Sequence, residues 1–393
     1  MKRFTIHILS LAGLIALAAC QPVNPEAYDA DASRVWLRAD VSEAMQTKSP
    51  YTIQYPTTDV PLLATVWATT TRFVYESLDL NGSEEDGYVV AKHTSARFQS
   101  GAIPQLLTDA IYPKNTGGGD PPPVYFVGFT PQSGSWVNEA VDESTDLGKA
   151  SFVYNGNDDV MFAPEISGHY GMPLADSPTY HFYHLLTWLK IEIKADGATV
   201  QEREAVRDAW GKITTLQLKD QKSRVTIDIA TLPDVSSAVQ SERIANVAAK
   251  ATFSGTPSVM QVYATGTDTV FPDASGYAIP TGVEPVEVAY VLCTPVLDGV
   301  TGSSGNATDY DTSDPLNPVT TNEYILEVET EHRTMIEIPV DLMTDADHFY
   351  IGNTTGRQFT ITLNFKLGNT IVVSAAVRDW VNGGVGTAHF EDI

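Results

Sequence analysis

Two histidines that lie three positions apart, His181 and His184, form the first arrangement in the sequence that could hold a metal ion. A zinc site needs several such side chains to converge on one point. On a helix the two rings would share a face, but in an extended strand they point to opposite faces, and the residues that follow favour a strand. We therefore expect each imidazole to pack among aromatic residues with a hydrogen bond of its own, and we predict no metal site.

A second candidate is a loop rich in oxygen ligands, which contains Asn306, Asp309, Asp311 and Asp314. Calcium is bound by carboxylate and amide oxygens of this kind. The spacing, however, lacks the glycine and the terminal glutamate of an EF-hand loop. The sequence favours a solvated acidic loop over the segment 306–314 and leaves calcium binding open.

Sequence motifs of common enzymes are missing from the chain. It contains no Gly-x-Ser-x-Gly elbow, no phosphate-binding loop, no dinucleotide-binding glycine pattern and no His-Glu-x-x-His motif. The acidic run Asn157-Asp158-Asp159 precedes an apolar segment, where such residues commonly form turns. Cys293 lies in the apolar run 288–293 and is interpreted as a small buried hydrophobic residue. We predict a protein that is not an enzyme and uses no cofactor.

The N-terminal residues carry the pattern of an export signal. Two basic residues precede a mostly apolar run that ends in small residues directly before Cys20. A basic head, an apolar middle and small residues before the cut are typical of a secretory signal, and the cysteine makes the pattern that of a lipoprotein. We expect residues 1–19 to be removed as the signal peptide and Cys20 to be acylated, palmitate included. An ordinary secretory signal followed by an accidental cysteine is the alternative.

Lipidation at this position predicts the location of the protein. Gln21, rather than aspartate, follows the cysteine, which in lipoproteins favours the outer membrane. Several acyl chains on one residue anchor a protein durably. The chain would therefore be attached to the membrane through its lipid alone, without crossing it.

The charge of the chain argues against nucleic acid as a partner. Removal of the signal leaves 22 basic and 49 acidic residues, a formal charge of −27. Such a chain repels phosphate backbones. Cys293 is then the one cysteine left besides Cys20, so an internal disulfide is excluded and the core has to hold the fold.

Alternation of apolar and polar residues indicates that the body of the protein is mainly β. The clearest case is the segment 359–367, which a Gly-Asn turn connects to the apolar segment 371–377 in a predicted hairpin. Shorter alternating segments occur at 189–193, 225–229 and 336–340. Many short strands separated by turn residues favour β-sandwiches over a parallel α/β sheet.

Helices and domain division are predicted from weaker signals. Two short helices are expected over 201–210 and 241–251. The length of the chain favours two domains, and a turn signal follows the strand that ends at Ile193. We therefore predict an N-terminal sandwich over 20–196 and a C-terminal sandwich over 197–393.

Four segments of the chain form an ordered set. They are Val124–Phe129, Asn157–Ala163, Phe182–Ile193 and the closing hairpin Phe359–Gly384. The third contains Phe-x-His-x-Leu before alternating apolar residues, and the fourth ends in Asp-Trp-x-x-Gly. In this order and spacing the segments resemble the fimbrillin family, outer-membrane lipoproteins that build type V pili.

The resemblance implies a fold and a mode of assembly. Members of the family consist of two tandem transthyretin-like β-sandwich domains behind a lipoprotein signal peptide. It further implies that a trypsin-like maturation protease removes the lipidated N-terminal strand at the cell surface, and that a strand of another pilus subunit enters the groove. The chain would then be a structural and adhesive subunit of a fimbria.

Applied to this sequence, the resemblance points to the segment 35–41 as the removable first strand, because apolar and polar residues alternate there. The candidate processing residues are Arg34, Arg38 and Lys48, and the sequence does not choose among them. The position of the subunit as stalk, tip or anchor stays open. The tail 382–393 is a possible donor segment.

Two functions of other classes also stay open on the sequence. A surface glycan-binding lipoprotein of a nutrient-uptake system would present solvent-facing Trp and Tyr side chains in one groove. A secreted hydrolase would need a cleft that holds two close carboxylates with perturbed pKa values.

Overall fold

A computed structural model describes most of the chain. The described residues are 34–41, 61–69, 93–98, 105–112, 119–132, 137–138, 149–173, 176–229, 233–237, 240–267, 269–295, 324–340, 343–345, 348–349, 354–368 and 370–379. Within these ranges the protein is mainly β, as predicted, with two short helices. Neither helix of the described part has the length and apolar character needed to cross a membrane.

The strands are numbered here in chain order. The first twelve are β1 (Arg34–Val41), β2 (Leu62–Thr69), β3 (His93–Phe98), β4 (Gln105–Ile111), β5 (Pro123–Thr130), β6 (Val137–Asn138), β7 (Lys149–Val153), β8 (Met161–His169), β9 (Thr179–His184), β10 (Thr187–Ala195), β11 (Lys212–Gln221) and β12 (Arg224–Asp228). The others are β13 (Ala251–Ser254), β14 (Ser258–Gln261), β15 (Tyr263–Ala264), β16 (Tyr277–Ala278), β17 (Val286–Cys293), β18 (Tyr324–Thr330), β19 (Arg333–Val340), β20 (Met343–Asp345), β21 (His348–Phe349), β22 (Arg357–Phe365) and β23 (Ile371–Asp379). The helices are α1 (Val200–Trp210) and α2 (Gln240–Ala248).

Seven strands of the N-terminal part form one pairing path, in the order β3-β2-β5-β8-β9-β1-β4. Its two ends, β3 and β4, lie next to each other, so the path folds back around a core of its own. This N-terminal core consists of buried apolar side chains from six of the seven strands and from the residue after β4. Its members are Val35, Leu37, Ala39, Leu62, Ala64, Val66, Ala68, Ala96, Phe98, Tyr112, Val124, Phe126, Met161, Ala163, Tyr180 and Phe182.

The C-terminal part is a sandwich of two sheets, in the orders β15-β17-β10-β22-β23 and β14-β11-β18-β19. Alternation explains the packing: Leu189, Ile191 and Ile193 of β10 are fully buried, whereas Lys190 and Glu192 between them are only half-buried. The predicted hairpin is β22-β23. Apolar faces of both sheets enter one large core, which confirms the predicted sandwich architecture.

Sheet pairing connects the two predicted domains closely. Strand β10, which the sequence places at the end of the first domain, pairs in parallel with β22 and antiparallel with β17. Strand β7 likewise pairs with β12, and Trp67, Phe129 and Phe162 of the N-terminal strands join the large C-terminal core. The hydrogen-bonded sheets therefore do not separate at residue 196, and the division into domains at that residue stays a prediction.

Both predicted helices are present. Helix α1 begins with a capping box in which Thr199 and Glu202 satisfy each other's backbone N–H groups. At its other end the Trp210 Nε1–H group donates to the carbonyl of Lys366 at 2.8 Å. Helix α2 ends at Ala248, earlier than predicted, because the chain turns there into β13.

Candidate functional site

The predicted first strand is an interior strand of the N-terminal path. The beginning of β1 pairs antiparallel with β4, with Trp36 opposite Leu106. Its second half pairs in parallel with β9, with Arg38 opposite Thr179, and the Arg38 N–H group donates to the carbonyl of Pro178 at 2.9 Å. Because β1 has a neighbour on each side, its removal would leave ladder groups of both β4 and β9 without partners.

One face of β1 is apolar and completely buried. Val35, Leu37 and Ala39 have exposed fractions of 0%, 1% and 0% and belong to the N-terminal core. The residues between them are half-buried, whereas Arg34 is exposed. Burial of a Val or Leu side chain contributes roughly 1.5–3 kcal/mol. The strand therefore occupies an apolar groove that it fills with alternate side chains, as the alternation of the sequence predicted.

A polar contact on the outer face links β1 to β9. Asp40 is the register partner of His181, and its Oδ1 atom accepts a hydrogen bond from His181 Nδ1 at 2.6 Å. The hydrogen bond that His181 donates to Asp40 raises the pKa of His181, and Arg243 of α2 opposes this as a like charge. No sequence pattern could have predicted this pair, because its two residues lie 141 positions apart.

The second histidine of the motif faces the other way. The side chain of His184 is 2% exposed, against 58% for His181, and its Nδ1 atom lies 2.9 Å from Asp159 Oδ1. The carbonyl of Asp159 in turn accepts a hydrogen bond from Thr130 Oγ1 at 2.8 Å. The two imidazoles therefore lie on opposite faces, each with its own aspartate. The residues that the structure describes contain no group of three or more metal-binding side chains.

The candidate processing residues occupy different places along β1. Arg34 is the first residue of the strand and is exposed, whereas Arg38 is half-buried in the paired middle. Cys20 and Lys48 lie outside the described residues, as do the signal peptide, the acidic loop 306–314 and the tail after β23.

One described carboxylate, that of Asp158, has a raised pKa, and it lies away from β1 in the loop between β7 and β8. Burial raises the pKa of Asp158. The adjacent Asn157 accepts a hydrogen bond from the Tyr290 hydroxyl, and the ring of Tyr290 lies 6.3 Å from that of Tyr263. Burial, rather than a second carboxylate, is the main cause of the shift, so the raised pKa of Asp158 gives no support to the hydrolase hypothesis.

Aromatic side chains in the described part mostly serve the core. Trp67, Trp188 and Trp210 have exposed fractions of 1–2%, and Trp36 is half-buried. The other two tryptophans lie outside the described residues. No described cluster of solvent-facing tryptophans provides the platform that the glycan-binding hypothesis requires.

Comparison with known proteins gives structural similarities at low sequence identity. The sequence matches no protein-family model and no curated protein. Solved structures give several similarities. A candidate cell adhesion protein of Bacteroides uniformis has 14% identity and a TM-score of 0.45, with 88% of this chain and 99% of that chain covered. The tip fimbrial protein Mfa3 of Porphyromonas gingivalis has 11% identity and a TM-score of 0.35, with 88% and 100% covered.

A third similar structure is described as that of candidate polysaccharide binding proteins of Bacteroides thetaiotaomicron, with 8% identity, a TM-score of 0.35 and 92% and 99% of the two chains covered. Similarity at this level decides nothing about function, which has to be argued from the chain's own residues.

Proposed function

We propose that this chain is a non-enzymatic, adhesive subunit of a fimbria, assembled at the cell surface by strand exchange at the position of β1. The observation that supports this most directly is the placement of β1. It is a short strand near the N-terminus that lies between β4 and β9 and packs one apolar face into the N-terminal core. A groove without this strand would expose both ladder groups and apolar pockets. An extended segment from another subunit would satisfy both, with alternate side chains in the pockets.

The order of residues along the chain narrows the processing site. A cut after Arg34 would leave nearly all of β1 in the sheet, and a cut after Arg38 would divide the strand in its paired middle. A cut that removes the whole strand has to fall between its end and the start of β2, in the segment 42–61. Lys48 is the only lysine or arginine in that segment. We therefore assign the cut to the bond after Lys48, made by a trypsin-like protease that accepts lysine.

A cut at this position would also couple release from the membrane to assembly. The proposed lipid on Cys20 and the whole of β1 lie on the same fragment, 20–48. One hydrolysis would therefore separate the body of the subunit from its outer-membrane anchor and make the groove available. Before the cut, β1 would keep the groove filled and prevent premature association at the edges of β4 and β9.

The test uses recombinant residues 21–393, which carry no lipid, and limited digestion with trypsin. Unboiled samples are run on a denaturing gel, and trimmed bands are analysed by mass spectrometry. We expect one early cut after Lys48, followed by a ladder of detergent-resistant multimers. The Lys48→Gln variant should lose both, whereas Arg34→Gln and Arg38→Gln, the matched controls, should behave like the parent chain.

Two results would contradict this assignment. Multimers formed by Lys48→Gln would show that removal of β1 is not required. A trimmed monomer that never forms multimers would contradict a polymerising subunit and would point instead to an anchor or a tip.

A further inference from the structure

The groove around β1 places size limits on whatever replaces the strand. Ala39 is the register partner of Tyr180 in β9 and is fully buried. The ring of Tyr180 lies 5.6 Å from that of Phe182 and 6.2 Å from that of Phe98. Ala39 belongs to the same packed core as these rings, and insertion of a larger side chain into a packed core costs about 1–3 kcal/mol. The third inward-facing position of the strand therefore requires a small residue, while the positions of Val35 and Leu37 take larger ones.

Two basic side chains, His181 of β9 and Arg243 of α2, interact on the outer side of the same groove where the strand passes β9. His181 of β9 lies 2.6 Å from Asp40, and Arg243 of α2 acts on the same imidazole as a like charge. Burial raises the pKa of Tyr183, the third titratable group that faces this position, and Arg243 opposes the shift. Asp40 is the acidic partner in this group. If β1 leaves, it takes Asp40 with it, and the basic groups of β9 and α2 remain together.

We propose that this groove selects a donor strand with two large apolar residues and one small residue at alternate positions, followed immediately by an acidic residue that meets His181. The occupant is an extended segment of another fimbrial subunit, and the sequence 35–40 of this chain is its template. The inference rests on the proposed strand exchange and adds the chemistry of the partner. Pocket size sets the apolar pattern, and charge complementarity selects the acidic residue and its register on β9.

The experiment uses the lipid-free chain 21–393, which is digested with trypsin and then treated with a trypsin inhibitor before fluorescent peptides are added, because the peptides themselves contain arginine. The first probe is the peptide of residues 34–41, and the second is the same peptide with Asp40→Asn. A third peptide with Arg38→Gln is the matched control, because it removes a charge at another outward-facing position. Incorporation is carried out at about pH 5, well below the ordinary pKa of an imidazole, and is measured as fluorescence that stays with the chain on an unboiled gel.

We expect the parent and Arg38→Gln peptides to be incorporated equally and the Asp40→Asn peptide about two- to fivefold less, the range for a half-exposed ion pair. The chain variant His181→Gln should accept the parent and Asp40→Asn peptides alike. Because His181 is largely exposed, this variant should fold like the parent.

Equal incorporation of the parent and Asp40→Asn peptides by the parent chain would overturn the selection of an acidic residue and leave strand exchange intact. If no peptide is incorporated after the cut, the groove does not accept a strand, and the proposed function fails together with this inference.

Discussion

Tyr154 and Thr294 lie 140 positions apart in the chain, and their hydroxyl oxygens are 2.7 Å apart in the buried interior. Thr294 also donates a hydrogen bond to the carbonyl of Lys222 at 3.2 Å. Its single hydroxyl hydrogen is therefore used there, and Tyr154 is the donor in the bond between the two hydroxyls. This bond ties the residue after β7 to the end of β17. The strands that precede residue 196 and those that follow it thus share buried polar contacts as well as a core.

Removal of the donor and removal of the acceptor of this bond should lower the free energy of unfolding by different amounts. Tyr154→Phe removes one hydrogen bond and leaves Thr294 bonded to Lys222, so we expect a loss of about 0.5–1.5 kcal/mol. Thr294→Val leaves the buried hydroxyl of Tyr154 without its acceptor, so we expect a loss of about 1–3 kcal/mol. Urea unfolding measures both free energies, with the exposed strand position Thr214→Val as control. A larger loss for Tyr154→Phe would contradict the assigned direction of the bond.

A glycine between β7 and β8 should be far less replaceable than one in an open turn. Gly156 has φ of +100°, and a Cβ atom there would lie 2.7 Å from the carbonyl oxygen of Gln261. Gly171 has φ of +79° with nothing within 4 Å of its Cβ position. We expect Gly171→Ala to cost about 1–2 kcal/mol through backbone strain alone and Gly156→Ala about 1–3 kcal/mol more through the clash. Thermal unfolding of the two variants tests this difference, and equal losses would refute it.

The contact between β1 and β9 should make the stability of the intact chain depend on pH. Asp40 raises the pKa of His181 above its ordinary value of 6.5, so the folded state favours the protonated imidazole. The stabilisation is complete below that value and is lost as the pH rises through the raised pKa. Because the His181 side chain is 58% exposed, we expect only about 0.2–1 kcal/mol.

His181→Gln provides the measurement for this dependence. The variant should be less stable than the parent at about pH 5.5, and the difference should shrink at about pH 8.5, where the imidazole is neutral in both states. Thermal unfolding at the two pH values gives the comparison, with His332→Gln as the control for a histidine elsewhere. A difference that grows with pH would contradict the ionic character of the contact.

The thiol of Cys293 should react only when the large core opens. It is fully buried, its Sγ atom lies 3.6 Å from the carbonyl oxygen of Thr187, and burial raises its pKa. The thiolate is the reactive form. In the lipid-free chain 21–393 Cys293 is the only cysteine, so labelling with a thiol reagent should be slow in buffer and fast in denaturant. Rapid labelling of the native protein would show that β10 and β17 separate readily.

The sequence by itself determined the local structure of several segments. Alternation predicted the strands around Ile191 and Ile361 and the apolar face of β1, because a period of two places every second side chain on one face. The same rule separated His181 from His184. The sequence also favoured sandwiches, since many short strands with turn residues between them are typical of sheet-on-sheet packing rather than of a parallel α/β sheet.

Tertiary structure alone decided which strands are neighbours. Alternation sets the face of a residue but not the partner of its strand, so the pairing of β10 with β22 and of β1 with β9 could not be predicted. The contact of Asp40 with His181 follows from the pairing of β1 with β9, and the contact of Tyr154 with Thr294 likewise joins residues more than a hundred positions apart. Pairing partners are chosen by the fit of whole apolar faces in a common core, and that fit is a property of the folded chain rather than of any local pattern.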